Sequence, residues 1–355
     1  MGTVTTFFLG ANGAGGDYRL FHQLTKQESL RDLIILKGCP GGGTSVFIQR
    51  IGAALESAGA DVEYIRCSGD PNALDGVFFP ELRCGVVNGS APHSLEPVYP
   101  LAVHRCVELG RFCDIAAAKA SAAEIMGYIC AAGAADIRAG HALAAAAQME
   151  AAMRESVLDK LDVGKLTRRF AGITARELKR RGQQRGEVRQ RLLGGLTAEG
   201  AVWCFDSVAA LCQRIYVVED SFGLASGELE KLCGAAAAKG WDVIACPSPA
   251  EPKRVEHILI PGLGLGFVTS CAGMRYPGTS YRRIRVDAMA PQERRGKLRL
   301  ERKLAASLRE EAVSSLQEAR EIRRKLDAIY QPYVDFDGIA ALADVEASRL
   351  LSWME

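Results

Sequence analysis

No two of the 11 cysteines stand in a C-x-x-C spacing. That excludes a zinc ribbon or a thioredoxin-type redox pair and leaves an odd, scattered set of reduced thiols, read as small core residues of a cytoplasmic protein. Charge of one sign is also lacking: the net value is +2, so composition argues neither for nor against a charged partner. Long apolar runs are missing too. The most alanine-rich stretch, 115–135, is interrupted by Lys119 and Glu124, and residues 1–10 carry no secretion-signal pattern. No membrane partner and no structural metal are therefore expected.

What is present is a chain of 355 residues, 48% hydrophobic, long enough for two cores. Its most informative segment, RDLIILKGCPGGGTSVFI at 31–48, is an apolar strand entering a glycine-rich turn and then a helix. Such a turn cradles phosphate with successive backbone N–H groups and the positive end of the following helix. The pattern G-x-x-x-x-G-K-[ST] would begin at Gly38, but the lysine position holds Thr44, followed by Ser45. Gly38, Pro40, Gly41, Gly42 and Gly43 keep the backbone shape, and Ser45 keeps a hydroxyl for Mg²⁺. The point charge on the outer phosphates is lost. Removing such a partner costs about 2–5 kcal/mol, roughly one and a half to three and a half decades of affinity. Lys37, just before the turn, is the local substitute cation, and a glycine turn with no ligand is the competing reading.

The chain is also duplicated. DVEYIRCSGDPNALDGVFFPEL at 61–82 aligns without a gap on DVIACPSPAEPKRVEHILIPGL at 242–263, pairing Asp61 with Asp242, Pro71 with Pro252, Asp75 with Glu256 and Pro80 with Pro261. LGANGAGG at 9–16 matches LGGLTAEG at 193–200, and LIILKG at 33–38 matches IYVVED at 215–220. That register puts SFGLASGE at the second glycine turn, with Ser226 at the lysine position. Periodicity predicts, in each half, a strand (5–10, 191–196), a helix (15–29, 200–212) and the buried strand before the turn. It then predicts a helix (44–58, 227–239) closed by Gly59 or Gly240, and strands at 61–66 and 84–88, or 242–246 and 265–269. Such alternation implies a mainly parallel sheet, with the proline-rich loop 91–100 over its carboxyl edge.

Residues 113–190 and 290–355 are rich in helix formers. Leu308, Ala312, Leu316, Ala319, Ile322 and Leu326 form one apolar stripe, expected to join an antiparallel helical hairpin packed on the core or on its equivalent from the other half, with 338–353 as the return helix. From Lys160 to Arg191 there are eleven basic residues against three acidic. Arg168, Arg169, Arg180, Arg181 and Arg185 are candidates for a nucleic acid or other anionic partner, although only Phe170 offers a stacking surface; a solvated linker is the alternative.

LKGCPGGG at 36–43, CSGDPNALDG at 67–76 and VVNGSAPH at 86–93, within a duplicated plan, resemble an uncharacterised bacterial family of tandem P-loop ATPase-like proteins, sometimes labelled nucleotide kinases. The likeness spans nearly the whole chain. It implies Mg-ATP as the ligand, a lysine where Thr44 stands, and an acidic residue at the end of the strand that finishes here with Val87-Asn88-Gly89. Ser226 and Thr269 depart in the same way in the second half.

Weaker candidates surround this site. Asp70 and Asp75 follow the strand at 61–66, where they would hold Mg²⁺ through water, orient a second substrate, or simply build a turn. His93 is an acid–base candidate, His257 has no second ligand in view, and GLGLGF at 262–267 reads as a glycine-tolerant strand edge. The expectation is an α/β protein: two P-loop NTPase-like parallel-sheet cores in tandem (1–112 and 191–289), each followed by a helical hairpin (113–190 and 290–355), with approximate internal twofold symmetry. The functional readings are a degenerate NTPase-like module with weak ATP or GTP binding or a structural role, an ATPase or nucleotide kinase with a substitute cation, and a binder of anionic partners. Self-association stays open.

Overall fold

A computed structural model of the protein describes residues 2–13, 16–25, 30–91, 93–290 and 295–354. The first half opens with β1 (Val4–Phe8), a hairpin of β2 (Gly10–Gly13) and β3 (Gly16–Arg19), and the short helix α1 (Phe21–Thr25). β4 (Asp32–Lys37) enters the glycine turn and α2 (Thr44–Ser57), followed by β5 (Val62–Arg66), β6 (Leu74–Phe79), β7 (Cys84–Asn88) and β8 (His104–Glu108). Helices α3 (Ile115–Ala120), α4 (Ala122–Leu158) and α5 (Val163–Glu177) lead into the second half. There the series repeats as β9 (Val188–Gln190), β10 (Gly194–Thr197), β11 (Gly200–Trp203), α6 (Phe205–Leu211), β12 (Arg214–Glu219) and α7 (Ser226–Ala238). It continues through β13 (Val243–Pro247), β14 (Val255–Ile260), β15 (Leu265–Ser270) and β16 (Arg282–Arg285) to α8 (Arg295–Tyr330) and α9 (Phe336–Leu351).

Each half builds a six-stranded sheet with the same strand order, β1-β5-β6-β7-β4-β8 in the first and β9-β13-β14-β15-β12-β16 in the second. The sheets are mixed, because β6 and β14 run antiparallel to both neighbours. The other pairings in each sheet are parallel, so the sheets are mainly parallel as expected, with one unexpected antiparallel strand in each. The sequence pattern predicts no strand at 74–79 or 255–260, since those short apolar runs sit directly behind proline turns and carry no alternation. The predicted helices at 15–29 and 200–212 also begin too early. Residues 16–19 and 200–203 instead form the second strands of small hairpins, and the second hairpin turns through Gly200 at φ +90°. Residues 14–15 and 26–29 lie outside the described set. GLGLGF runs into the start of β15, as read, with Gly264 at φ +57° just before the strand, and β15 lies between β12 and β14.

Alternation along β4 explains the layers. Ile34 and Leu36 point into a core formed with α2 and α9, whereas Leu33 and Ile35 point into a second core that also contains Ile215, Val217, Ile244 and Val268 of the other sheet. The halves therefore share an interior, joined further by reciprocal backbone hydrogen bonds of 2.9 Å between Phe8 and Leu192. These two residues are equivalent in the repeat, so their pairing with each other is what a twofold relation demands.

The helices meet their equivalents from the other half, one of the two expected arrangements, but the return helix of the hairpin is corrected. The stripe on α8 packs against α4 of the other half, antiparallel, with ion pairs Arg323–Asp136, Arg138–Glu318 and Arg309–Glu150 along its length. Small residues Ala139, Ala142 and Ala312 let the helices approach closely. Helix α9 does not return along α8; it crosses to the first sheet and packs on α2 through Ile339, Ala343 and Leu350, with Arg50 bonding Asp344 at 2.5 and 2.8 Å. In mirror fashion α5 packs on α7 of the second half through Leu166, Phe170 and Ile173. Each core is thus closed by a helix from the opposite repeat. Among the described residues, no helix is long and apolar enough to cross a membrane.

Candidate functional site

The first glycine turn lies where β4 ends and α2 begins. Gly41 (φ +63°) and Gly43 (φ +79°) occupy the left-handed region, which a side chain would strain. Gly42 N–H donates to the Cys39 carbonyl at 3.0 Å, tightening the turn, and Gly38 N–H donates to Ser90 Oγ at 2.9 Å, tying it to the segment just after β7. Asn88 Oδ1 accepts from Ser90 N–H at 3.0 Å, so this side chain braces the backbone just after β7. Helix α2 has no side-chain cap: among the described residues the amides of Gly43, Thr44, Ser45 and Val46 have no acceptor. These are the orphan donors that make a helix start attractive to an anion.

The opposite half roofs this turn. A Cβ at Gly41 would lie 2.9 Å from Cα of Asp327 on α8, and one at Gly43 would lie 3.0 Å from Ile339 on α9. Cys39 is tucked under the roof, its thiol pushed up to about 11 by burial and by Cys113 and Asp327 beside it. Thr44 Oγ1 folds toward Gly38, 3.5 Å from where a Cβ would stand. Ser45 Oγ accepts from Leu74 N–H at 2.9 Å, which leaves one lone pair for a metal.

The auxiliary candidates divide. Lys37 points away into an exposed pair with Glu96 at 2.8 Å. Asp70 builds a turn by accepting from Asn72 N–H at 3.2 Å and lies 3.9 Å from Arg324 of α8. Asp75 and His93 are brought together, both buried, with Oδ2 and Nε2 3.8 Å apart. Among the described residues no cluster of three or more metal-ligating side chains occurs. The basic segment is partly absorbed into structure: Arg176 bonds Glu177 and Tyr216, and Arg191 is buried against Glu63. Arg168, Arg169, Arg180, Arg181 and Arg185 stay exposed, with Arg181 lying over Trp241.

The second turn is built differently, and repeat alignment alone misses how. Asp220, at the end of β12, turns its buried carboxylate into the turn: Oδ1 accepts from Phe222 N–H at 3.2 Å and Leu224 N–H at 2.9 Å, and Oδ2 from Ala225 N–H at 2.8 Å. Burial raises the carboxyl's pKa, the three amides opposing and Asp287 adding to the rise. A carboxylate of the chain itself thus fills the concavity of this turn. Arg254 presses on the same turn, its Nη1 1.4 Å from where a Cβ of Gly223 would stand, and Gly223 sits at φ +70°, the left-handed region that a side chain would strain. Ser226, at the lysine position, is the first residue of α7. The signal that could have found Asp220 is local, since aspartate just after a strand favours bonds to the next few amides.

No family model matches the chain, and neither does any curated protein or solved structure.

Near the second turn, His257 is buried among Trp203, Glu256 and Arg254, and its pKa is lowered to about 3 by burial and by the Arg254 charge. Its Nδ1 accepts from Thr269 N–H at 3.1 Å, so Nε2 carries the proton. The unfolded chain takes up a proton near pH 6.5 that the folded one refuses, so His257 supports stability above that pH. This support is lost, at up to about 1.4 kcal/mol per pH unit, as pH falls toward about 3. Glu256, raised by burial, works in the opposite sense. Urea unfolding between neutral and acid pH should show a shallower acid slope in His257→Asn, which keeps an acceptor for Thr269; an unchanged slope would contradict this assignment.

Proposed function

We propose that this chain is a P-loop NTPase-like pseudoenzyme in which the first turn accepts the phosphates of Mg-ATP or Mg-GTP weakly and the second has its anion built in. The observation that carries the reading is the contrast between the two turns: unsatisfied amides at Gly43 to Val46 in one, and amides closed by Asp220 in the other. The missing lysine charge and the Asn88 brace make rapid hydrolysis unfavourable. The role is then nucleotide sensing or scaffolding, with the roof of α8 and α9 as the element that responds.

Calorimetry with both Mg-nucleotides on the natural protein and on Thr44→Lys tests this. The natural protein should bind weakly, and the variant about one and a half to three and a half decades more tightly. A folded Thr44→Lys variant with no gain, or the absence of heat from both proteins at millimolar ligand, would remove nucleotide from the account.

A further inference from the structure

The carboxyl rim of the second sheet carries a group of polar atoms that the fold leaves unsatisfied. Among the described residues, Trp203 Nε1, His257 Nε2, Arg254 Nε and Glu256 Oε2 are buried and make no hydrogen bond. They are neighbours: His257 Nε2 stands 3.7 Å from Glu256 Oε2, Arg254 Nη2 stands 3.9 Å from Glu256 Oε1, and the Trp203 ring meets the His257 ring edge-on at 6.3 Å. The nearest carboxylate to Arg254 Nε is Glu251 Oε2 at 3.5 Å. His257 is only 1% exposed. An unsatisfied buried polar group costs about 1–3 kcal/mol, so four on neighbouring residues call for a partner.

The chemistry of that partner follows from the donors. Trp203 Nε1, His257 Nε2 and Arg254 Nε each offer an N–H, and His257 must, because its Nδ1 already accepts from Thr269. Glu256 Oε2 offers a lone pair. The matching ligand has several acceptor oxygens and one acidic hydrogen. We infer that Trp203, Arg254, Glu256 and His257 form a binding site for a small oxyanion that carries an O–H, such as hydrogen phosphate or bicarbonate. Close by, Arg309 lines a groove of about 370 Å³ between the β10–β11 hairpin and α8, and its positive charge acts on Glu256. This site is separate from the first glycine turn and does not depend on nucleotide binding there.

The test follows the Trp203 indole N–H by NMR, assigned among the three tryptophans with Trp203→Phe, while inorganic phosphate, bicarbonate or sulfate is added above neutral pH at constant ionic strength. Sulfate has the oxygens but no O–H there. The Trp203 signal should shift saturably with phosphate or bicarbonate and respond about tenfold more weakly to sulfate. Glu256→Gln should erase that preference, because its amide donates to sulfate. Thr44→Lys should leave the Trp203 response unchanged whatever it does to nucleotide affinity, which separates this inference from the preceding one. No response at tens of millimolar would leave the four atoms to ordered water and overturn the proposal. Equal binding of sulfate and phosphate by the natural protein would overturn it as well.

Discussion

Replacing Asp220 by alanine should destabilise the protein by about 3 kcal/mol or more, because three buried amides lose their acceptor at once and each orphan costs roughly 1–3 kcal/mol. The three bonds are charge-assisted and converge from Phe222, Leu224 and Ala225 onto one side chain that is 3% exposed. Water has no easy route to replace them. Asp220→Asn should cost less, because Oδ1 keeps its two donors, but its new N–H₂ would face the Ala225 N–H and break the third bond. Urea unfolding reads the difference, and hydrogen exchange localises it, with faster exchange at residues 222–225 in both variants. A loss below about 1 kcal/mol for the alanine variant would mean that the second turn holds its shape without its internal anion.

That turn shows where sequence reasoning reaches and where it stops. The repeat was legible because 61–82 and 242–263 build the same β–turn–β unit, with Pro71 and Pro252 at the same bend, and the shared strand order follows. Gly59 and Gly240 were legible as helix ends because each has the positive φ that glycine tolerates, +93° and +86°. The partner of an amphipathic helix was not. The stripe on α8 shows which face is buried, but the same face would suit a return helix or the α4 that covers it. Only long-range contacts decide between them, and the swap of α5 and α9 between cores is of that kind. The glycine run showed a turn able to curve around an anion. It could not show Asp327 and Ile339 of the opposite repeat resting on Gly41 and Gly43.

The two turns have diverged along different routes from one plan. In the second, the Asp220 carboxylate accepts from the turn's own amides, so those donors are already satisfied within the chain. In the first, the backbone donors stay unsatisfied while helices from the other half cover the turn. Anything that enters there competes with the packing of α8 and α9. Since α8 also forms the long seam with α4, a ligand of the kind proposed for the first turn would press on the element that joins the halves.

The joint between the halves is the second place where a single substitution should be severe. Arg191, just after β9, reaches Glu63 on β5 with Nε to Oε1 at 2.5 Å, and the two residues are 2% and 3% exposed. Its Nη1 donates to the Gln190 carbonyl at 2.9 Å, while Nη2 makes no hydrogen bond among the described residues. Arg191→Ala strands the Glu63 carboxylate in the interior, which should cost about 3–5 kcal/mol. Removing both charges is a different matter. A buried ion pair gains little over apolar residues of similar size, and an unsatisfied Nη2 weakens this one further, so Arg191→Met with Glu63→Met should lie within about 1 kcal/mol of the natural protein. The signature is therefore non-additivity, read by denaturant unfolding of the two single variants and the double. If the single Arg191→Ala variant lost less than about 1 kcal/mol, water would have to reach Glu63, and the interior shared by the two sheets would be open at that point.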